Sequence, residues 1–228
     1  MPHAPVPPPG YQVKFESIPG VGGPLTVRSL LDRQQYHDPD DEAGQAGIPP
    51  AFWPLFGLLW PSGQVLANLM AVHELGGKRI LELGCGLGLA SLVVHRRGGD
   101  ITASDSHPLA AAFMLENLRL NGLPAMKYQT AHWARTNPAL GRFDLIIGSD
   151  VLYDREQPQI LSQFIDQHSQ AVVEVMIVDP DRGNQPHFSR KMGVLGYSHI
   201  ETRVTSLPDG AAYKGRLHSY QRRTPAQA

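Results

Sequence analysis

Three glycines at alternate positions, Gly84, Gly86 and Gly88, lie in the stretch Leu81-Glu82-Leu83-Gly84-Cys85-Gly86-Leu87-Gly88. Arg79 to Leu83 reads as a strand and Leu87 to Arg97 as a helix, so the glycines occupy a strand-to-helix turn. Such a turn lets backbone approach a ligand closely and points helix N–H groups at it. Asp105 follows Gly84 by 21 residues, at the end of the next apolar run and beside Ser106, where a carboxylate can accept hydrogen bonds from ribose hydroxyls. Farther along, Ser149-Asp150-Val151-Leu152-Tyr153 closes another apolar run. Asp150 and Tyr153 there offer a carboxylate and a phenol able to hold and orient an amine.

The ligand class is narrowed by what the loop lacks. A nicotinamide dinucleotide site wants glycine at the sixth position of G-x-G-x-x-G, and Leu89 stands there. No Gly-Lys-Ser/Thr follows, which removes a P-loop. Glu82, just ahead of the first glycine, would repel a pyrophosphate yet suits a cation. S-adenosylmethionine, carrying a sulfonium and an ammonium, meets these conditions; a tight turn with no ligand is the alternative. Cys85 is the only cysteine and has no base beside it in sequence, so it reads as a small residue facing the ligand rather than a nucleophile. The ten histidines include no H-x-x-x-H pair, and no metal site is expected. His107 and His132 read as packing or capping groups.

The elements that position these residues alternate between short apolar runs and helical stretches, the mark of βαβ units. Strands are expected at Arg79–Leu83, Ile101–Ser104, Lys127–Thr130, Phe143–Gly148, Val172–Val178, His199–Val204 and Leu217–Arg222. Helices are expected at Gln64–Leu75, Leu87–Arg97, from Pro108 to Asn121, Gln157–His168 and Pro186–Leu195. The fold class is therefore α/β, a doubly wound, Rossmann-like seven-stranded sheet with a closing antiparallel pair. Upstream, Tyr11–Ile18 and Leu25–Leu31 flank Pro19-Gly20-Val21-Gly22-Gly23-Pro24 and read as a β-hairpin extension. His37–Ala46, with four carboxylates, reads as an exposed acidic loop. Twelve of the 20 prolines precede residue 62, five of them in the first ten residues, which read as a tail without signal-peptide character. Two segments are expected, residues 1–50 and a ligand-binding domain over 51–228.

From about Pro54 onward the chain resembles class I S-adenosylmethionine-dependent methyltransferases, and within them the family-16 protein-lysine methyltransferases. The matching segments are Gly57-Leu58-Leu59-Trp60-Pro61-Ser62-Gly63, Glu82 to Gly88, Asn117 with Asn121, and Ser149 to Tyr153. The resemblance implies cofactor contacts from Trp60 at the methionine end, Asp105 and Ser106 at the ribose, Trp133 at the adenine, and Glu82, Gly84, Cys85, Gly86, Gly88 and Ser149. It implies Asp150 and Tyr153 at the transferred methyl. Trp53 reads as a packing residue, and packing is the alternative for Trp60. For Asp150 and Tyr153 the alternative is a helix cap and a packed ring. Asp179-Pro180-Asp181-Arg182 opens on the same edge, either shaping an acceptor site or forming a turn with an Arg–Asp pair.

Methyl transfer to lysine is the implied activity, by direct displacement from the sulfonium. Planar amide and nucleobase nitrogens are disfavoured as acceptors, since the Asn/Asp-Pro-Pro-Tyr/Phe segment usual for them is replaced by Ser149-Asp150-Val151-Leu152. A small-molecule N- or O-methyltransferase and a non-catalytic binding module stay open. The expected partner is a protein with an accessible lysine, or a small amine. With 20 Lys+Arg against 21 Asp+Glu, bulk charge gives no reason to expect nucleic acid. The apolar run Leu55–Trp60 is too short for a membrane span. A lone thiol suits a reducing cytoplasm, the expected location.

Overall fold

The computed structural model describes residues 11–20, 22–35, 38 and 40–223; the expected tail, residues 1–10, lies outside them. β1 (Val13–Ile18) and β2 (Leu25–Leu30) form the hairpin, in antiparallel register from Val13↔Leu30 to Ile18↔Leu25. The acidic segment is not wholly a loop. It holds a single helical turn, α1 (Glu42–Gln45), because the Asp38 carboxylate accepts the N–H groups of Glu42, Ala43 and Gly44 at 3.0, 2.9 and 3.2 Å.

A 3₁₀ segment, Pro50–Gly57, leads into α2 (Pro61–Val72). By length and composition Pro50–Val72 could pass for a membrane-spanning helix. It is broken by extended backbone at Leu58 and Trp60, and Trp53, Phe56, Val65, Leu66 and Met70 are buried against the rest of the protein. α2 starts three residues before the expected Gln64, since proline is well placed in a first helical turn, and stops at Val72 where His73 turns extended.

The sheet is built from β3 (Arg79–Leu83), β4 (Asp100–Asp105), β5 (Lys127–Thr130), β6 (Phe143–Ser149), β7 (Ser169–Asp179), β8 (Ser198–Ser206) and β9 (Ala212–Arg222). The helices are α3 (Leu89–Arg96), α4 (Ala110–Leu120), α5 (Gln157–His168) and α6 (Gln185–Val194). Strand order is β5-β4-β3-β6-β7-β9-β8, with β9 antiparallel to both its neighbours and the first five strands parallel. The expected doubly wound sheet with a closing antiparallel pair is the fold observed. Alternation along the strands divides two cores. Ile80, Leu145 and Ile147 join α2, α3, α4 and the hairpin on one face, while Leu81, Ile146 and Ile177 pack against α5 and α6 on the other.

The hairpin is fastened to this frame by two asparagines of α4 and the residue after it. Buried Asn117 accepts the Arg28 N–H at 2.8 Å and donates to the Leu87 carbonyl at 3.3 Å. Asn121 accepts the Thr26 N–H at 2.9 Å and donates to the Thr26 carbonyl at 2.7 Å. Side-chain amides thus act as a partner strand for β2 and tie it to the turn after β3.

Candidate active site

Successive strands run outward in opposite directions from β3 and β6, so the crevice beyond their carboxyl ends is the switch point of the sheet. A cavity of about 720 Å³ opens there. It is lined by Trp60, Glu82, Gly84, Cys85, Gly86, Asp105, Ser106, Trp133, Ser149, Asp150 and Tyr153, which gathers every candidate residue but one. Gly88 is the exception. It sits with φ +70° as the cap of α3, which therefore begins at Leu89 and not Leu87, and a methyl group on it would collide with Met114. Its left-handed backbone is what asks for glycine here, and the cavity is not involved. At Gly86 the need is local to the cavity wall: φ is +51° and a Cβ would lie 2.7 Å from the Phe56 carbonyl oxygen.

Two buried carboxylates stand in the wall. Asp105 accepts the N–H groups of Gly86 at 2.8 Å and His107 at 2.9 Å, one on each oxygen, so each keeps a lone pair for a further donor. Burial raises its pKa, and the backbone donors oppose that rise. Glu82 is held by the N–H of Ser91 at 2.8 Å and by the Ser91 hydroxyl, both on Oε2. Oε1 has no protein donor among the described residues. Burial pushes the Glu82 pKa up to about 7, with the Ser91 bonds pulling the other way. The Cys85 thiol is driven well above its ordinary range by burial and by Asp105 and Glu82, so it stays protonated and is no nucleophile.

Aromatic side chains close the cavity. His107 stacks on Phe56 at 3.8 Å between centroids and 12° between planes, and meets Trp53 edge-on at 5.3 Å. Its Nδ1 accepts the Leu109 N–H at 3.1 Å, which places the ring proton on Nε2. Burial lowers its pKa to about 4, so the ring is neutral near pH 7. Nε2 is buried with no protein partner among the described residues. His107 thus packs and caps, as expected, and also lines the cavity, which the sequence reading did not anticipate. Phe52 and Phe56 line the cavity as well, and neither is among the residues expected there. Trp60 is fixed by an Nε1 bond to the Leu55 carbonyl at 2.9 Å, and the Arg33 guanidinium lies 5.0 Å from its ring centroid.

Asp150 is not a helix cap, because α5 begins only at Gln157. It adopts φ +55°, with its N–H on the Val178 carbonyl at 2.9 Å, and this aims the carboxylate at Arg182. The pair is bidentate, Nη2 to Oδ2 at 2.8 Å and Nε to Oδ1. Arg182 is itself positioned by its N–H on Asp179 Oδ1 at 2.7 Å. The Asp-Pro-x-Arg segment therefore both forms a turn and delivers the arginine to Asp150. Tyr153 is partly exposed and meets Phe52 edge-on at 5.5 Å.

A second, open cleft of about 560 Å³ adjoins the first. Lys14 and Glu16 of β1, Tyr213 and Lys214 of β9, and Pro180 line it, and it shares Arg33, Leu58, Trp60, Asp150 and Arg182 with the large cavity.

Seven strands in this order, a glycine turn at the switch point and carboxylates at the ends of β4 and β6 define the class I methyltransferase fold. The crystal structure of magnesium protoporphyrin IX methyltransferase from Synechocystis PCC 6803 with bound SAM superposes with a TM-score of 0.55 at 19% identity, over 69% of this chain and 76% of that one. Residues 56–192, more than half the chain, match the lysine methyltransferase family model, and the protein belongs to that family. Electron transfer flavoprotein beta subunit lysine methyltransferase of Rattus norvegicus is 31% identical over 149 residues, 64% of this chain and 56% of that protein. Calmodulin-lysine N-methyltransferase of Arabidopsis thaliana is 28% identical over 156 residues, 63% of this chain and 51% of that protein. The chain spans about half the length of the curated relatives it matches.

Proposed function

We propose that the protein is an S-adenosylmethionine-dependent protein-lysine N-methyltransferase, with the cofactor in the large cavity and the acceptor lysine entering through the open cleft. The observation that carries this reading is the junction of the two spaces at Trp60, Asp150 and Arg182. A small-molecule enzyme would be expected to enclose its acceptor, whereas a cleft open along β1 and β9 suits a lysine borne on a protein surface.

The residues present fit the cofactor. Glu82 Oε1 and the second lone pairs of Asp105 are acceptors without enough protein donors, suited to an ammonium and to ribose hydroxyls. The buried Nε2–H of His107 is a donor without an acceptor, suited to an adenosine nitrogen or oxygen. A Cβ at Gly84 would press on Trp133 and Val151 at 3.2 Å and one at Gly86 on the Phe56 carbonyl, so both glycines set the shape of the wall. Trp133, packed against Gly84, suits a purine face.

When bound, the cofactor would supply an electrophilic methyl carbon, open to in-line attack by a neutral amine with the neutral thioether as leaving group. The chain's own contribution is alignment and exclusion of water. Asp150 and Tyr153 hold the acceptor amine; desolvation against the aromatic wall lowers its pKa from the ordinary value of about 10.4, against the opposing pull of the Asp150 carboxylate, and its proton leaves to solvent through the open cleft before the neutral amine attacks. The incoming amine competes with Arg182 for Asp150. The relatives named above carry protein-lysine activities in their names, which supports a lysine on a protein as acceptor.

Incubating the protein with methyl-labelled S-adenosylmethionine and a cell lysate, then mapping label by mass spectrometry, tests the reading. Label on lysine side chains of a protein is the expected result. Label confined to small molecules moves the acceptor class, and failure to bind the cofactor in calorimetry overturns the reading altogether.

A further inference from the structure

β8 and β9 pair at the sheet edge with Glu201 directly opposite His218 and His199 opposite Tyr220. Residues two apart on a strand share a face, so His199, Glu201 and His218 project together. Their nearest ligating atoms all lie within 4.8 Å of one another. From this juxtaposition we propose that His199, Glu201 and His218 form a binding site for a divalent first-row transition cation of the Zn²⁺ type, outside the large cavity.

The distances suit such an ion. His199 Nε2 and His218 Nδ1 are 3.1 Å apart. Two nitrogens bound at about 2.0–2.1 Å in a tetrahedral site stand roughly 3.3–3.4 Å from each other, so the rings already present one edge of the tetrahedron. Glu201 Oε2 is 4.0 Å from His218 Nδ1 and belongs to a half-exposed side chain that can rotate to close the third position. Two imidazoles and one carboxylate leave a fourth position to water, an arrangement that zinc accepts.

Outer contacts orient these ligands. The His199 ring stacks on Tyr220 at 4.6 Å and 12°. Arg216 Nη1 binds Glu201 Oε1 at 2.6 Å, which leaves Oε2 to turn toward the rings, and Arg216 Nε lies 3.0 Å from Asp181 Oδ1, which offsets its charge. Among the described residues the competing group is Gln185, whose Nε2 is 3.1 Å from His218 Nδ1 and would have to swing aside. Spacing along one strand gives no hint of this cluster, because the third ligand arrives from the neighbouring strand.

Titration of the full chain with Zn²⁺ in a calorimeter should give one equivalent bound, and Co²⁺ should give the visible absorption of a low-coordinate site. His199→Gln and Glu201→Gln change exposed side chains and should fold normally. Each should weaken Zn²⁺ binding by more than the roughly 10–100-fold that loss of an outer contact costs. Zn²⁺ should also raise the melting temperature of the parent chain and not of His199→Gln. Zn²⁺ binding that His199→Gln leaves unchanged, or no binding by the parent chain, overturns the proposal and leaves only a hydrogen bond between two rings.

Discussion

Glu82 offers a test of the cofactor site that can be worked from its pKa. With that value near 7, the carboxyl is about one-tenth ionised at pH 6 and about nine-tenths at pH 8. If the ionised form is what receives the cofactor's ammonium, affinity for S-adenosylmethionine falls about tenfold from pH 8 to pH 6, or about 1.4 kcal/mol. The sign follows from linkage: a cationic ligand prefers the deprotonated carboxyl, so binding is strongest above the pKa and drives proton release at pH 6. Glu82→Gln keeps the shape and removes the titration. A hydrogen bond to a charged group is worth roughly 1.5–3 kcal/mol, so this variant should bind at least about tenfold more weakly at pH 8. Calorimetry at the two pH values, in buffers of different ionisation enthalpy, reads both affinity and proton release. The free cofactor's amino group titrates identically in both experiments, so its contribution cancels in the comparison. Equal pH dependence in parent and Glu82→Gln would refute the assignment.

Asp150→Ala should abolish methyl transfer while leaving cofactor affinity largely intact; a labelled-methyl assay and calorimetry together separate the two. Gly86→Ala must hold a side chain at φ +51°, which costs about 1–2 kcal/mol, and displaces the Phe56 carbonyl from the cavity wall. Its cofactor affinity should drop in the same calorimetric titration. Asn117→Ala leaves the Arg28 N–H buried and unpaired at roughly 1–3 kcal/mol, and should lower the melting temperature by several degrees, while Asn121→Ala, at a half-buried position, costs less. Raised pKa values at Glu82 and Asp179, the latter about 6, mean that these two groups contribute stability that is present below their unfolded values and lost as pH rises through 6 to 7. In cofactor-free Glu82→Gln, denaturation curves from pH 5 to 8 should show a shallower decline.

What the chain disclosed by itself follows the range of the interactions concerned. β3, β5 and α5 have the expected ends; for β3 the reason is local, since Gly76-Gly77 and Gly84 bound its apolar run. β7, β8 and β9 run longer than their apolar stretches, since in those flanks partner strands supply the hydrogen bonds that an apolar pattern cannot announce. In the site, Glu82, Gly84, Gly86 and Asp105 were legible because strand ends and a glycine turn fix them locally. The Asp150–Arg182 pair was half legible: the turn is local, but its direction depends on Asp150 at φ +55°, a conformation that no neighbouring residue type signals.

Asn117 marks the limit of reading by motif. As a letter it belonged to a family resemblance, with no physical task attached. In the structure it joins the Leu87 carbonyl, just past Gly86, to the Arg28 N–H of the hairpin, so the glycine turn of the large cavity and the hairpin beside the open cleft share one buried amide. His199, Glu201 and His218 make the converse case: no motif marks them, yet strand register alone sets three ligating atoms together. Chemistry that resides in one turn is written in consecutive residues, and chemistry assembled across strands is written only in the pairing.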